Sequence, residues 1–304
     1  MRLLAGIVAF ATLAVPQLHF PRDHYGHRAG VEWWYVTADA HGSDGHRYSV
    51  FFTLFKQGAI VLPVSQVVDL DTGARVGHTE QLLSFDVGPT ALDVRRPNVR
   101  LAYLPTTDTW LFHAADAAYS LTMTAKPEKP YVLHGGGTGV IRQSRGVSRY
   151  YSATRMAATG TIGRGGRSVR FVGTAWLDHQ WGNFASDPSA LRWDWFSCRF
   201  DDRTELMLYR FRDGHRTGTA VDRSGRGRLV TSFEARPGAR AYRAAGRRWP
   251  LDWTLDVPAG HLFVRLHAIV ADQLFRSVLL PTFWEGAATA AGTKRGLCFV
   301  EETS

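Results

Sequence analysis

The chain has 304 residues, enough for one large domain or two of ordinary size with a sizeable core. Hydrophobic residues make up 45% of it and ten residues are tryptophan, which excludes a disordered or low-complexity protein. The net charge of +9 would suit nucleic acid, but the arginines are scattered along the chain and only four of the 36 basic residues are lysines. Because nucleic-acid grooves concentrate their charge on one element, we expect no nucleic-acid partner.

The first element in chain order is an apolar run at residues 3–15, which follows Arg2 and ends in small residues before Pro16. These are the three parts of a secretory signal. The run is shorter than the ~20 residues that span a bilayer. We predict that residues 1–19 form a leader cleaved near Ala14 and that the protein is secreted or periplasmic, with a buried first strand as the alternative.

Strand-like segments then follow one another, separated by Gly, Asp-Gly and Pro signals, and helical spacing is seldom sustained. They are Glu32–Ala38, Arg47–Gln57, Val64–Leu70, Val99–Leu104, Tyr119–Ala125, Val169–Leu177, Trp193–Phe200, Thr204–Phe211, Leu229–Ala235, Leu251–Val257, Leu262–Val270 and Leu297–Glu301. The pattern predicts an all-β protein of sandwich or barrel type.

Two breaks interrupt this series of strands. His134–Gly146 holds five glycines and suits either a linker or a mobile loop over a site. Gly182–Ala190 is the second break, and we place the domain boundary there, between domains at 20–185 and 186–304.

The two cysteines, Cys198 and Cys298, fall on predicted strands of the C-terminal half. A disulfide would require those strands to be neighbours. Two unpaired buried thiols are the favoured interpretation, since a free cysteine behaves as a small core hydrophobe.

Four segments set an acid beside tryptophan: Glu32-Trp33-Trp34-Tyr35, Trp176-Leu177-Asp178-His179-Gln180-Trp181, Trp193-Asp194-Trp195 and Trp284-Glu285. Because alternate strand residues share a face, Trp193 and Trp195 should face away from Asp194, and Asp178 away from His179. An acid among apolar rings has a raised pKa, which suits a proton donor, and indole faces stabilise cations. The alternative is structural: such acids often only accept hydrogen bonds from indole N–H groups.

Other polar residues carry weaker signals. His24 and His27 have H-x-x-H spacing, but no further ligands are evident, so hydrogen bonding is favoured over a metal and no cofactor is expected. Two clusters combine tyrosine with arginine: Tyr150 and Tyr151 with Arg155, and Tyr209 with Arg210. Buried arginines need carboxylate or carbonyl partners, and Asp194 or Glu32 could supply them, so the alternative is a structural ion-pair network inside a barrel mouth. No nucleophile elbow, P-loop, dinucleotide fingerprint or H-E-x-x-H motif occurs, so serine or cysteine hydrolysis has no sequence support.

Taken together, several segments resemble one known family. They are Phe20-Pro21-Arg22-Asp23-His24, Glu32-Trp33-Trp34-Tyr35, Arg149-Tyr150-Tyr151-Ser152, Trp176-Leu177-Asp178-His179-Gln180-Trp181-Gly182, Trp193-Asp194-Trp195-Phe196, Glu205-Leu206-Met207-Leu208-Tyr209-Arg210 and Phe283-Trp284-Glu285-Gly286. The family is the lipocalin-like group related to carotenoid 1,2-hydratases, often labelled predicted secreted hydrolases. The resemblance covers nearly the whole chain after the leader.

This resemblance implies two lipocalin-like β-barrels with an apolar ligand site at or between them. It also implies two kinds of relatives: hydratases that add water to an isoprenoid or prenyl double bond, and Diels–Alderases that fold a polyene. A His-x-Trp pair and a Tyr-x-Asp pair are associated with the hydratase active site. His179 and Trp181 match the first pair, whereas Tyr209 is followed by Phe211 where the acid would be, so another acid would have to donate the proton.

The expected catalytic residues are Asp178, His179, Asp194, Glu32 and Tyr209. The expected ligand-binding residues are Trp33, Trp34, Tyr150, Tyr151, Arg155, Trp181, Trp193, Trp195, Arg210, Trp284 and Glu285. Three functions compete: a cofactor-free hydratase or lyase, a cyclase that works by holding a polyene in a reactive shape, and a binding protein for a lipid or isoprenoid. An apolar small molecule is the expected partner in each, and peripheral membrane association and oligomeric state stay open.

Overall fold

The computed structural model describes residues 17–143, 146–184, 192–277 and 281–303. Within these ranges the chain is all-β, as predicted, with two short 3-10 helices at Arg22–His24 and Pro258–Gly260. None of the helices in the described ranges is both long and apolar enough to cross a membrane. Residues 1–16 of the predicted leader lie outside the described residues.

The first sheet is formed by strands from residues 31 to 182. They are β1 (Val31–Gly42), β2 (Arg47–Gln57), β3 (Ile60–Asp69), β4 (Arg75–Glu80), β5 (Leu83–Ser84), β6 (Asp93–Arg96), β7 (Val99–Leu104), β8 (Thr109–Ala115), β9 (Tyr119–Pro127), β10 (Val132–Leu133), β11 (Val140–Gln143), β12 (Gly146–Arg164) and β13 (Arg167–Gly182). Their antiparallel order is β4-β3-β2-β1-β13-β12-β9-β8-β7-β6, with β5 on β3 and with β10 and β11 on β12.

The second sheet is formed by strands from residues 193 to 303. They are β14 (Trp193–Phe200), β15 (Glu205–Phe211), β16 (Arg216–Val221), β17 (Gly227–Val230), β18 (Glu234–Pro237), β19 (Ala241–Ala244), β20 (Arg247–Pro250), β21 (Asp252–Val257), β22 (Leu262–Ala268), β23 (Leu274–Phe275), β24 (Phe283–Gly292) and β25 (Gly296–Thr303). Their order is β17-β16-β15-β14-β25-β24-β22-β21-β18, with β23 on β24, while β19 and β20 pair separately.

Each sheet curves around its own apolar core, and a third core joins the two. Alternation along β1 separates them: Trp34, Val36 and Ala38 enter the core of the first barrel, whereas Tyr35 faces the second domain. On β14, Phe196 and Cys198 enter the core of the second barrel, whereas Trp193 and Trp195 face the first domain. The period-2 geometry of central strands therefore builds the lipocalin-like barrels and the interface between them at once.

Two expectations need correction. The predicted strand Leu229–Ala235 is two strands, because β17 pairs with β16 and β18 pairs with β21, and the chain passes between the two edges of the sheet at residues 231–233. The glycine-rich stretch is also shorter as a loop than expected, since β11 forms a hairpin with the start of β12.

The favoured interpretation of the cysteines was wrong. Cys198 on β14 and Cys298 on β25 form a disulfide. The reason is register: the two strands are antiparallel neighbours, and the two cysteines lie directly opposite each other. Strand adjacency could not be seen from the sequence.

Candidate functional site

The central strand β13 presents different chemistry on its two faces. Asp178 and Gln180 face the domain interface, whereas His179 and Trp181 lie on the opposite face, within the end of the first barrel. The predicted alternation of Asp178 and His179 is confirmed, and its consequence is that neighbours in sequence belong to separate clusters.

A pocket opens between the two domains on the Asp178 face, and we call it the interdomain pocket. Its cavity volume is about 110 Å³, measured to the centre of a water-sized sphere, and the empty space including the open mouth is about 830 Å³. Its mostly apolar wall suits part of a small apolar molecule. The lining residues are Trp33, Tyr35, Phe51, Thr53, Phe55, Tyr150, Asp178, Gln180, Trp193, Trp195, Tyr209, Pro281, Phe283, Glu301 and Thr303.

Aromatic rings form most of the pocket wall. Trp33 stacks on Trp193 with their ring centroids 6.2 Å apart, and Trp193 meets Tyr209 edge-on at 5.6 Å. Trp195 meets Tyr35 edge-on at 5.3 Å. Because these rings come from both sheets, the two domains form one apolar wall. π faces of this kind favour an apolar ligand and stabilise a cation formed on it.

Asp178 is the acid at the centre of this wall. Burial raises the pKa of Asp178 from 3.8 to about 7, against the opposing hydrogen bonds from Ser152, Trp176 and Tyr150. The Trp176 indole nitrogen donates to Asp178 Oδ1 at 2.7 Å, and the Ser152 hydroxyl donates to the same oxygen. A carboxyl group with such a pKa holds its proton near neutral pH and can still release it, as a general acid must.

Two more carboxyl groups lie near Asp178. Burial raises the pKa of Glu301 to about 7, and the charge of Asp178 adds to the shift. Burial and the charge of Glu301 raise the pKa of Glu285 well above its usual range, and Glu285 accepts a hydrogen bond from the Tyr35 hydroxyl at 2.6 Å. Because Asp178 and Glu301 interact, they titrate as a pair, so near pH 7 a neutral acid and a carboxylate coexist in one pocket.

The opposite face of β13 holds another buried acid, Glu32, in a cluster with His27, Lys56 and His179. Glu32 accepts hydrogen bonds from Lys56 Nζ at 3.0 Å, from His27 Nδ1 at 2.7 Å and from His179 Nε2 at 3.0 Å. Burial opposes ionisation of Glu32, but the bonds from His179 and His27 outweigh it and lower its pKa to about 2. Burial lowers the pKa of His179 to about 4, so its ring is neutral at pH 7.

Three members of the Glu32 cluster could bind a metal by residue type, since ligand atoms of His27, Glu32 and His179 lie within 4.8 Å of one another. The Lys56 ammonium, however, already balances the charge of Glu32. A divalent cation would stand next to this buried positive charge, which disfavours its binding. The arrangement therefore favours a structural ion pair, and aromatic rings surround it: Trp34 stacks on His179 at 4.5 Å and Trp181 on His27 at 3.9 Å.

The remaining predicted site residues lie elsewhere. Asp194 faces the second barrel and pairs with Arg210 at 2.6 Å. Arg155 pairs with Glu205 at 2.7 Å across the two domains. Trp284 is in the core of the second barrel, and Tyr151 in the end of the first. Arginine does find carboxylate partners, as expected, with Asp194 among them.

The structure thus brings one part of the predicted site together and separates the rest. Six predicted residues line the interdomain pocket: Trp33, Tyr150, Asp178, Trp193, Trp195 and Tyr209. Glu285 lies just behind Tyr35. Glu32, His179, Trp34, Tyr151, Trp181, Asp194, Arg155, Arg210 and Trp284 are not among the lining residues.

Sequence reasoning missed Glu301 and Tyr35 as pocket residues. Alternation along the last strand would have placed Glu301 on the same face as Phe299, which was the available signal. The pairing of β25 with β14, which brings Glu301 opposite Trp195, has no such signal. Tyr35 belongs to the Glu32-Trp33-Trp34-Tyr35 segment but is not among the predicted site residues.

Comparisons with known proteins agree with this architecture. The model of the AttH-like family matches residues 76–304. Kievitone hydratase of Fusarium solani subsp. phaseoli is 22% identical over 306 residues, which cover 92% of this chain and 82% of that protein.

Solved structures are similar over nearly the whole chain. A protein of Nitrosomonas europaea described as an AttH is 25% identical, with a TM-score of 0.84 and coverage of 95% of this chain and 98% of that one. Kievitone hydratase of Nectria haematococca is 20% identical, with a TM-score of 0.81 and coverage of 96% and 94%. CghA is 13% identical, with a TM-score of 0.57 and coverage of 91% and 88%. The hydratase-related, lipocalin-like resemblance is confirmed, and its carotenoid part stays a prediction.

Proposed function

The chain belongs to the AttH-like family, and we propose from this premise and from the interdomain pocket that it is a cofactor-free hydratase acting on an apolar alkene of isoprenoid or polyene type. Its full-length similarity to a kievitone hydratase supports a hydratase-like reaction. The observation that carries the proposal is the pair of carboxyl groups, Asp178 and Glu301, whose pKa values are each raised to about 7 within one aromatic pocket.

The proposed reaction uses the two carboxyl groups in opposite protonation states. Neutral Asp178 donates its proton to one alkene carbon, and the other carbon becomes a carbocation. The rings of Trp33, Trp193 and Trp195 stabilise this cation. A water molecule forms a bond to the cationic carbon and gives up a proton to the Glu301 carboxylate, so the product is an alcohol and one proton has moved from Asp178 to Glu301.

A labelling experiment tests this proposal directly. The purified protein is incubated with apolar alkenes carrying isoprenoid or prenyl double bonds in ¹⁸O-water, and products are analysed by mass spectrometry. We expect a product heavier than the substrate by one labelled water. Asp178→Asn should lower the rate by about 10²- to 10⁴-fold, the range for a general acid, and Glu301→Gln should also lower it. Asp71→Asn, a change at an exposed ion pair with Arg47, is the matched control.

The competing functions are distinguished by the same variants. Bound alkene that is converted at an unchanged rate by Asp178→Asn would indicate catalysis by proximity, as in a cyclase. Stoichiometric binding without any product would indicate an apolar-ligand binding protein. Either result would overturn the proposed hydration.

We also propose that the protein is exported. The apolar run at residues 3–15 has the form of a secretory signal, and the disulfide between Cys198 and Cys298 is typical of an oxidising compartment. N-terminal sequencing of the protein from its native host should find a start after residue 14. An intact Met1 in the cytosolic fraction would contradict export.

A further inference from the structure

A buried hydrogen-bond chain runs from Asp178 to the second domain. The Ser152 hydroxyl contacts both Asp178 Oδ1 and His134 Nε2, the latter at 2.6 Å. His134 Nδ1 in turn lies 2.8 Å from the Thr219 hydroxyl. Ser152 and His134 are fully buried, and Thr219 is 2% exposed. Thr219 is on β16 in the second sheet, so this hydrogen-bond chain crosses the domain interface.

The direction of donation along this chain is fixed when Asp178 is ionised. A carboxylate can only accept, so the single hydroxyl hydrogen of Ser152 must point to Asp178. Ser152 then accepts a hydrogen bond from His134 Nε2–H. Burial lowers the pKa of His134 to about 3, so the ring is neutral and its bare Nδ1 accepts from the Thr219 hydroxyl. Each group thus has one role, set by the Asp178 carboxylate, and the Thr219 hydroxyl supplies the donor that the bare His134 nitrogen needs.

The chain also determines which oxygen of Asp178 carries the acid proton. Oδ1 already accepts two hydrogen bonds, from Ser152 and from the Trp176 indole. Because both of these donors contact Oδ1, they favour Oδ2 as the oxygen that carries the proton of neutral Asp178, and the Tyr150 hydroxyl is a third hydrogen-bond partner of the same carboxyl group. When that proton leaves, the donors that stabilise the carboxylate are already in place, and no reorganisation is required.

We propose that Ser152, His134 and Thr219 are positioning residues for Asp178, which together hold its proton on Oδ2 and couple its acidity to the packing of the two domains. This inference deepens the proposed function and relies on it for the role of Asp178. Trp176 and Tyr150 also form hydrogen bonds with Asp178 that lower its pKa, whereas Tyr35 and Tyr209 are uncharged at pH 7 and Glu301 and Glu285 add no positive charge. Among the donors to Asp178, Ser152 is the one that the hydrogen-bond chain connects to the second domain.

The test is a pH titration of Asp178 in the intact, oxidised protein without substrate, followed by infrared difference spectroscopy of the protonated carboxyl band. Asp178→Asn identifies the band. Thr219→Val leaves His134 Nδ1 without its donor, which weakens the hold of His134 on Ser152, and the midpoint should rise by up to about one pH unit. Ser152→Ala removes the donor itself and should raise the midpoint at least as much. Thr219→Ser should restore the original value.

Thr37→Val is the matched control. Thr37 is fully buried, and its hydroxyl has no hydrogen-bond partner among the residues that the structure describes, so the midpoint should stay unchanged. Unchanged midpoints in both Thr219→Val and Ser152→Ala would overturn the inference. If Thr219→Val does not fold, Ser152→Ala and Thr219→Ser still decide it.

Activity separates this inference from the proposed function. Because neutral Asp178 is the donor, the rate falls as pH rises through its pKa, and a raised pKa moves that decline to higher pH in Ser152→Ala and Thr219→Val. Shifted midpoints in a protein that hydrates no alkene would overturn the proposed function alone. If Ser152→Ala and Thr219→Val are active and neither their titration midpoints nor their pH–rate profiles are shifted, only the positioning role of the hydrogen-bond chain is overturned.

Discussion

Asp178 and Glu32 are buried carboxyl groups on the two faces of the same central strand pair, and they behave in opposite ways. Glu32, on β1, is fully buried and ionised, with its pKa lowered to about 2. Asp178, on β13, is 3% exposed and has a pKa raised to about 7. Burial opposes ionisation in both, so it cannot explain the difference.

The difference lies in the partners. Glu32 has a cation, Lys56, at 3.0 Å and two histidines that donate to it. Asp178 accepts from neutral donors, and no lysine, arginine or histidine forms an ion pair with it in the described part of the chain. A buried acid without a cation keeps a proton that it can donate, whereas one paired with a cation stays ionised and has no proton to give. We therefore assign chemistry to the interdomain pocket and structure to the Glu32 cluster.

The largest expected effect on stability comes from removing the cation beside Glu32, which leaves this acid, like Asp178, without a charged partner. Lys56→Met leaves a buried carboxylate without its cation and should lower the free energy of unfolding by about 3–5 kcal/mol. Urea denaturation at neutral pH measures this loss. The double variant Glu32→Gln/Lys56→Met should recover a large part of it, because no charge then remains. A single variant as stable as the parent would show that Lys56 does not balance Glu32.

The second prediction concerns Asp178 and how stability depends on pH. The pKa of Asp178 in the folded protein, about 7, exceeds its ordinary value of 3.8, so the folded state holds an extra proton between these pH values. The contribution of Asp178 to the free energy of unfolding therefore falls as pH rises from about 4 to about 7 and is constant at higher pH. Asp178→Asn mimics the neutral acid and should gain stability relative to the parent over that interval, up to about 4 kcal/mol. Parallel curves of unfolding free energy against pH for the two proteins would contradict this.

Removing the disulfide should lower stability without altering the pocket. Cys198 and Cys298 close a loop of 100 residues, and their loss should cost about 2–4 kcal/mol. Cys198 faces the core of the second barrel, away from Asp178. The double variant Cys198→Ala/Cys298→Ala should therefore melt at a lower temperature and retain the Asp178 titration midpoint. A shifted midpoint would show that the second barrel and the pocket are coupled more closely than the contacts indicate.

These contrasts also show what the sequence could predict. Alternation is a local rule, so it correctly placed Trp193 and Trp195 opposite Asp194, and Asp178 opposite His179. The all-β class followed from strand lengths and turn residues for the same reason. Both depend on residues that are adjacent in the chain.

Pairing of distant strands was not predictable. The disulfide requires β14 beside β25, and the proximity of Glu301 to Asp178 requires the two sheets to pack face to face. Lys56 is the partner of Glu32 because β2 pairs with β1 in a particular register. A sequence with acids next to tryptophans therefore gave candidate residues, but only the fold separates Asp178 from Glu32.

The smallest expected effect on the free energy of unfolding comes from removing a neutral hydrogen-bond donor to a buried acid. It tests whether such a donor stabilises the acid differently from a cation. Tyr35 donates to Glu285 at 2.6 Å, and burial raises the pKa of Glu285 well above its usual range, which favours the protonated form. Tyr35→Phe removes this one hydrogen bond from a neutral donor, which should cost about 1 kcal/mol. Because the protonated form of Glu285 is favoured, this cost should depend little on pH. The cost of Lys56→Met, by contrast, should shrink on acidification as the uncompensated Glu32 takes up a proton. Unfolding free energies of both variants across this pH range compare the two faces directly, and a pH-dependent cost for Tyr35→Phe would mean that Glu285 is charged.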